Sequence, residues 1–85
     1  MNKNELKYNL DLLEVRPSSY SLEGELLPDR IILYHSYHIW EVFYLDERGG
    51  KNDVKVFSSE DNACQYIYRI LKETKEIERK FKLNS

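Results

Sequence analysis

Ile39-Trp40-Glu41-Val42-Phe43-Tyr44-Leu45, the polar stretch Asp46-Glu47-Arg48-Gly49-Gly50-Lys51-Asn52, the return Val54-Lys55-Val56-Phe57 and then Ser58-Ser59-Glu60-Asp61 decide the fold. Two runs of β-branched and aromatic residues around a glycine-containing turn read as a hairpin. Ser58 is a good N-cap, Asp61 three residues on completes a capping-box pattern, and Glu60 suits the positive end of a helix. Upstream, Arg30-Ile31-Ile32-Leu33-Tyr34 supplies a third strand. A two-residue turn at Ser36-Tyr37 puts Tyr34 opposite Ile39, Ile32 opposite Glu41 and Arg30 opposite Phe43. Centring the second hairpin on Gly49 sets Phe43 against Lys55 and Glu41 against Phe57.

Side chains alternate faces along a strand, so this register sorts the sheet. One face carries Ile31, Leu33, Trp40, Val42, Tyr44, Val54 and Val56 and is wholly apolar, the expected core. The other sets Arg30, Glu41 and Lys55 among Ile32, Tyr34, Ile39, Phe43, Leu45 and Phe57. Glu41 is then diagonal to Arg30 and Lys55, within reach of a cross-strand ion pair. A one-residue slip buries all three charges, which favours this register.

Outward from the sheet, Leu6, Leu10 and Leu13 recur at helical spacing and predict an amphipathic helix over Lys3 to Val15, ended by Pro17. Its leucines are expected to pack on Ile39 and Phe43, covering the mixed face. Tyr20-Ser21-Leu22 reads as a short edge strand, and Gly24 and Pro28 mark Glu23 to Asp29 as a turn-rich loop. In the last helix Ala63, Ile67, Ile70, Thr74, Ile77 and Phe81 form the expected buried stripe, flanked by Tyr66 and Leu71. Lys72–Glu76, Glu76–Lys80 and Glu78–Lys82 are spaced as i, i+4 pairs on the charged remainder. The end of that helix, residues 75–85, is expected to project or fray. The fold class is α+β: an N-terminal helix, a three- to four-stranded antiparallel sheet and a long C-terminal helix, in one domain over residues 1–85.

A chain of 85 residues buries roughly 60–65% of the surface its unfolded form exposes. The eleven aromatic residues supply much of that core. No apolar run reaches the roughly 20 residues that cross a bilayer. The N-terminus lacks the apolar segment of a secretory signal, and a lone cysteine, Cys64, forms no internal disulfide. A cytoplasmic location is expected, with no membrane association. The net charge of −2 conceals a segregation. From Tyr20 to Glu47 six acids meet one base, a balance of −5, whereas Arg48 to the end carries +3. Such segregation predicts an acidic patch that repels nucleic acid and attracts basic proteins.

Chemistry-bearing groups are sparse. His35 and His38 flank a tight turn, and with Glu41 or Asp46 they match no recurrent metal-ligand spacing. Cys64 lies near the buried stripe of the last helix, where a packed thiol is expected in place of a nucleophile. An enzyme reading therefore rests on His35, His38 or Cys64 alone, and no cofactor or metal is expected. The order helix, three strands, helix also matches the double-stranded-RNA-binding fold. That fold needs bases at the start of its last helix, and Ser58-Ser59-Glu60-Asp61 would repel phosphate there.

The run Arg30-Ile-Ile-Leu-Tyr34, the segment Trp40-Glu-Val-Phe-Tyr-Leu-Asp-Glu-Arg-Gly-Gly50 and the segment Val56-Phe57-Ser-Ser-Glu60-Asp-Asn-Ala63 carry a resemblance. Over roughly Tyr20 to Leu71 the chain resembles the small immunity proteins of bacterial polymorphic-toxin systems, in particular the group called immunity protein 59. Trp40 followed by Phe57, Glu60 and Ala63 is similar to that group's strand tryptophan and Phe-x-x-Glu-x-x-Ala pattern. The resemblance implies an antitoxin that neutralises one cognate toxin C-terminal domain by stoichiometric binding, without enzymatic activity. It implies core roles for Trp40, Phe57 and Ala63 and a helix-start role for Glu60.

The contact surface has to come from the residues. If the toxin is a nuclease with a basic cleft, an acidic surface can occlude it. Glu23, Glu25, Asp29, Asp46, Glu47 and Asp53 are the expected contacts, with Tyr37 as an aromatic anchor. A different class of function is a small homodimeric adaptor that pairs through the mixed sheet face around Glu41. A monomer or weak homodimer is expected.

Overall fold

The computed structural model describes residues 1–83, with the side chains of residues 82 and 83 left aside. Helix α1 (Lys3–Leu12), strands β1 (Tyr20–Ser21), β2 (Arg30–Ser36), β3 (Ile39–Leu45) and β4 (Lys51–Phe57), and helix α2 (Glu60–Leu83) follow in order. The fold is α+β. The strands form one sheet in the order β1-β2-β3-β4. It is antiparallel except at its edge, where β1 lies parallel to β2. Among the described residues no helix is long and apolar enough to cross a membrane.

Both helices pack on the same face of the sheet. Leu6 and Leu10 of α1 and Ala63, Cys64, Ile67 and Leu71 of α2 close over Leu33 and Val42 in one buried cluster. The expected cover of Ile39 and Phe43 by α1 is thus overturned, because α1 needs α2 beside it to bury two leucine rows at once. On the opposite face Ile32, Phe43 and Leu45 form a second, smaller cluster. Successive residues Val42 and Phe43 point to opposite faces, and each is only 1% exposed. The connection between β1 and β2 runs on this second side: a Cβ on Gly24 would meet the Tyr34 ring at 3.5 Å.

The register departs from expectation in two ways. The β2–β3 turn is Tyr37-His38, so Tyr34 faces Glu41 and Arg30 faces Leu45. That is a shift of two residues, and it leaves every β2 and β3 side chain on its expected face. The second hairpin is centred on Arg48, with Leu45 opposite Lys51 and Tyr44 opposite Asn52, and a bulge follows between Val42 and Tyr44. Asp53 takes a left-handed φ of 54° there. One extra residue in β4 turns Val54 and Val56 onto the second face, where they are 44% and 59% exposed. Lys55 and Phe57 take the helix side, and Phe57 packs against the main core. Glu41 therefore meets Tyr34 and Val56, and the expected ion pairs to Arg30 and Lys55 are not formed.

Helix α1 stops at Leu12, short of Val15. Glu14 adopts φ 62° and the Val15 amide donates to the Leu10 carbonyl at 3.0 Å. That is the geometry of a Schellman cap, closed by burial of Val15. Its start is a full capping box between Asn2 and Glu5. In α2 the cap is Ser59, not Ser58, since the Asn62 amide donates to Ser59 Oγ at 3.2 Å. Asp61 makes no capping box. Its carboxylate accepts from the Met1 amine and from Gln65 Nε2, and these donors hold it below the ordinary carboxylate range.

The buried side of α2 is rotated from the expected stripe. Ala63, Cys64, Ile67 and Leu71 are enclosed, whereas Ile77 and Phe81 are 55% and 71% exposed. The helix extends to Leu83, and residues 84 and 85 of the end expected to fray lie outside the described residues. Lys75–Glu78 at 3.9 Å replaces the expected Lys72–Glu76 and Glu76–Lys80 pairs. The Glu78–Lys82 pair involves a side chain outside those described.

The bulge sets a stability contrast. Val56→Thr should change the unfolding free energy by no more than about 0.5 kcal/mol, as an exposed substitution does. Val42→Thr, which strands a hydroxyl in the core, should cost about 1–3 kcal/mol. Urea unfolding of the two variants measures this, and equal losses would place both valines in one core.

Candidate protein-docking site

The turn from Leu45 to Lys51 is organised by one side chain. Asp46 Oδ1 accepts from the amides of Arg48 at 2.9 Å and Gly50 at 2.7 Å, and Oδ2 accepts from Asn52 Nδ2 at 3.1 Å. The backbone adds Gly49 amide to Asp46 carbonyl and Asp46 amide to Gly50 carbonyl, both 3.0 Å. Two glycines are required for different reasons. Gly49 has φ 83°, and a Cβ on Gly50 would sit 2.7 Å from Asp46 Oδ2. The Gly50 amide first, then Asn52, then the Arg48 amide hold the Asp46 carboxyl below the usual range against a smaller desolvation effect. Three donors favour the ionised form.

Asp29 reaches the same end of the sheet. Its amide donates to the Leu45 carbonyl at 2.7 Å, and its Oδ1 accepts from the Tyr44 hydroxyl at 3.2 Å. Desolvation, then that hydrogen bond, then the negative fields of Asp29, Asp46 and Glu47 raise the Tyr44 phenol above its ordinary value. One carboxylate, Asp29, thus seats the phenol at the foot of β2 and β3, and Asp46 and Glu47 follow in the adjoining turn. Beside them opens a groove of about 780 Å³ under the second half of α2, lined by Arg16, Ser19, Asp29, Tyr44, Lys75 and Glu78 among others. Its mixed charges and apolar floor suit a peptide surface better than a single ion.

The other expected contacts are spread over the molecule. Glu47 is exposed in the turn, and Asp53 is exposed at the bulge. Glu23 is exposed and its Oε2 lies 3.0 Å from Lys3 Nζ. Glu25 is exposed in the β1–β2 connection. Tyr37 is 92% exposed, but it tips the β2–β3 hairpin at the far end of the sheet. Seven-residue strands separate it from the acidic end by about 20 Å. Tyr37 and the acidic cluster are therefore two features, not one patch. Tyr44 was not among the expected contacts, and only its place two residues before Asp46 in the sequence hinted at its position.

His35 stacks flat on Trp40 across the hairpin, centroids 3.8 Å apart and planes 2° from parallel. His35 thus braces the hairpin, and His38 lies in its turn. Among the described residues no group of three or more His, Cys, Asp or Glu could hold a metal. Cys64 is fully enclosed and its thiol is pushed up to about 11, chiefly by burial. No family model, no curated protein and no solved structure matches this chain.

Two outcomes follow from these geometries. Because Asp46 titrates low in the folded protein, its stabilisation is complete above the unfolded value near 3.8 and disappears as pH falls through the folded one. Asp46→Ala should lower the melting temperature at pH 7 and flatten the acid limb of stability against pH; an unaltered limb would show the turn does not need this carboxylate. Cys64, with a thiolate nearly absent at pH 8, should resist an aromatic disulfide reagent in the native state and react at once in denaturant. Rapid native labelling would contradict its enclosure.

Proposed function

We propose that this chain is an immunity-type antitoxin, which binds and neutralises a cognate toxin domain by occluding its active site or substrate groove. What supports this most directly is the seating of Asp29 on the Tyr44 hydroxyl beside the Asp46-centred turn that carries Glu47, at one end of the sheet. Asp46 is held by turn amides and Asp29 by the Tyr44 hydroxyl, so the field of these two carboxylates is oriented before contact. Such preorganisation accelerates association with a basic cleft and limits the ordering cost of binding. The resemblance of the strand and helix-start segments to immunity proteins points to the same class. No bond is made or broken in this activity; it rests on shape and charge.

Within the acidic end the roles divide. Asp46 spends its oxygens on its own turn, so it shapes the surface more than it touches a partner. Glu47, exposed in the turn, carries the electrostatic attraction there, and Glu25, exposed in the β1–β2 connection, adds to it from outside that end. The partner proposed is a toxin C-terminal domain with a basic substrate cleft, such as a nuclease.

Glu25→Lys with Glu47→Lys should slow association with the toxin domain about 10-fold at low ionic strength, with the gap closing in high salt. Stopped-flow binding to a candidate toxin C-terminal domain, and protection of cells co-expressing that domain, test it. An unchanged on-rate with full protection would remove the acidic end as the site. Failure to bind any such domain would remove the antitoxin reading itself.

A further inference from the structure

Helix α2 outruns the sheet beneath it. Its 24 residues span about 36 Å, whereas a seven-residue strand spans about 23 Å. Beyond the enclosed Ala63, Cys64 and Ile67, the residues Ile70, Thr74, Ile77 and Phe81 recur at alternating spacings of four and three. That is the seam spacing of a two-stranded coiled coil. Ile70 is half-buried against the core, and Ile77 and Phe81 are 55% and 71% exposed. Thr74 donates its hydroxyl to the Ile70 carbonyl at 2.9 Å, so burying it would strand no polar group.

We propose that a second copy of this chain closes this stripe, its α2 running antiparallel to the first. With the twofold axis between Thr74 and Ile77, Ile70 of one copy meets Phe81 of the other and Thr74 meets Ile77, each layer occurring twice. Flanking charges choose the orientation. Glu73 and Lys80 lie on the same shoulder of the stripe, and in an antiparallel pair those shoulders face each other. Glu73 of each copy then meets Lys80 of the other, giving two ion pairs across an isologous interface. A parallel pair would set Glu73 against Glu78, two like charges. Among the described residues neither Glu73 nor Lys80 has an ion-pair partner in its own chain. The inference needs no toxin, but it shares surface with the proposed docking site: Ile70 and Thr74 also line the groove beside Asp29 and Tyr44, so a second copy seated here would cover part of that groove.

Sedimentation equilibrium of the full chain from low micromolar to millimolar concentration tests it. The mass should rise from 10.2 kDa toward twice that value. Ile77→Asp should weaken the dimer by about 30-fold or more, as loss of a central apolar contact does, while leaving the far-ultraviolet spectrum and the monomer's urea midpoint in place. Glu73→Lys should weaken it a few-fold, and adding Lys80→Glu should restore it. A monomer at every concentration would overturn the proposal. So would a dimer that survives Ile77→Asp and is dissociated by Val56→Lys, which would seat the second copy on the exposed sheet face around Glu41 instead.

Discussion

The double burial of Val42 and Phe43 is the constraint on which the structure rests. They are neighbours on the central strand, they point to opposite faces, and each is almost wholly enclosed. A strand that buries both faces cannot be covered from one side. The two helices combine over Val42 because neither alone is wide enough to enclose Leu33 and Val42 together with its own apolar row. Phe43, with Ile32 and Leu45, is left to a smaller cluster on the other side. That cluster is completed at its margin by the Lys51 ammonium 4.8 Å from the Phe43 ring centre, a cation–π contact that also shields the start of β4.

This asymmetry distributes the accessible surface. One face of the sheet is consumed by helices, while the other keeps an exposed apolar margin at Tyr34, Ile39, Val54 and Val56. The ends of the strands remain for recognition. At one end a stacked histidine and tryptophan stiffen the Tyr37 hairpin. At the other, a carboxylate-centred turn and the Asp29–Tyr44 contact fix two negative charges in place. These two ends are the charged and aromatic surfaces on which the proposed docking role rests. Cys64 is enclosed in the helix-side core, where burial raises its thiol to about 11.

Local chemistry made several elements legible in advance. Alternation from Arg30 to Leu45 gave the right faces for β2 and β3, even with the turn misplaced by one residue, because a two-residue register shift preserves sidedness. The edge strand at Tyr20-Ser21, the glycine turn and both helices were also readable. The sidedness of β4 was not. A bulge adds one residue without any glycine or proline to announce it, and Asp53 is an acceptable but unexceptional left-handed residue. The termination of α1 was hidden for a like reason, since Glu14 stands where a glycine would have been the signal. Of the candidate site, acidity was visible in composition, but the meeting of Asp29 with Tyr44 spans two strands and needed their register.

Residue order therefore settles whatever depends on near neighbours: which segments are helix or strand, where turns are chemically possible, and which charges cluster along the chain. It does not settle which face of the sheet α1 chooses or how far α2 is rotated. Those outcomes come from competition for a finite apolar area, in which Leu6 and Leu10 are buried best where α2 already lies. For the same reason Ile77 and Phe81 fall off the end of the core despite matching its periodicity: the stripe is encoded locally, but its cover depends on how far the sheet extends beneath it.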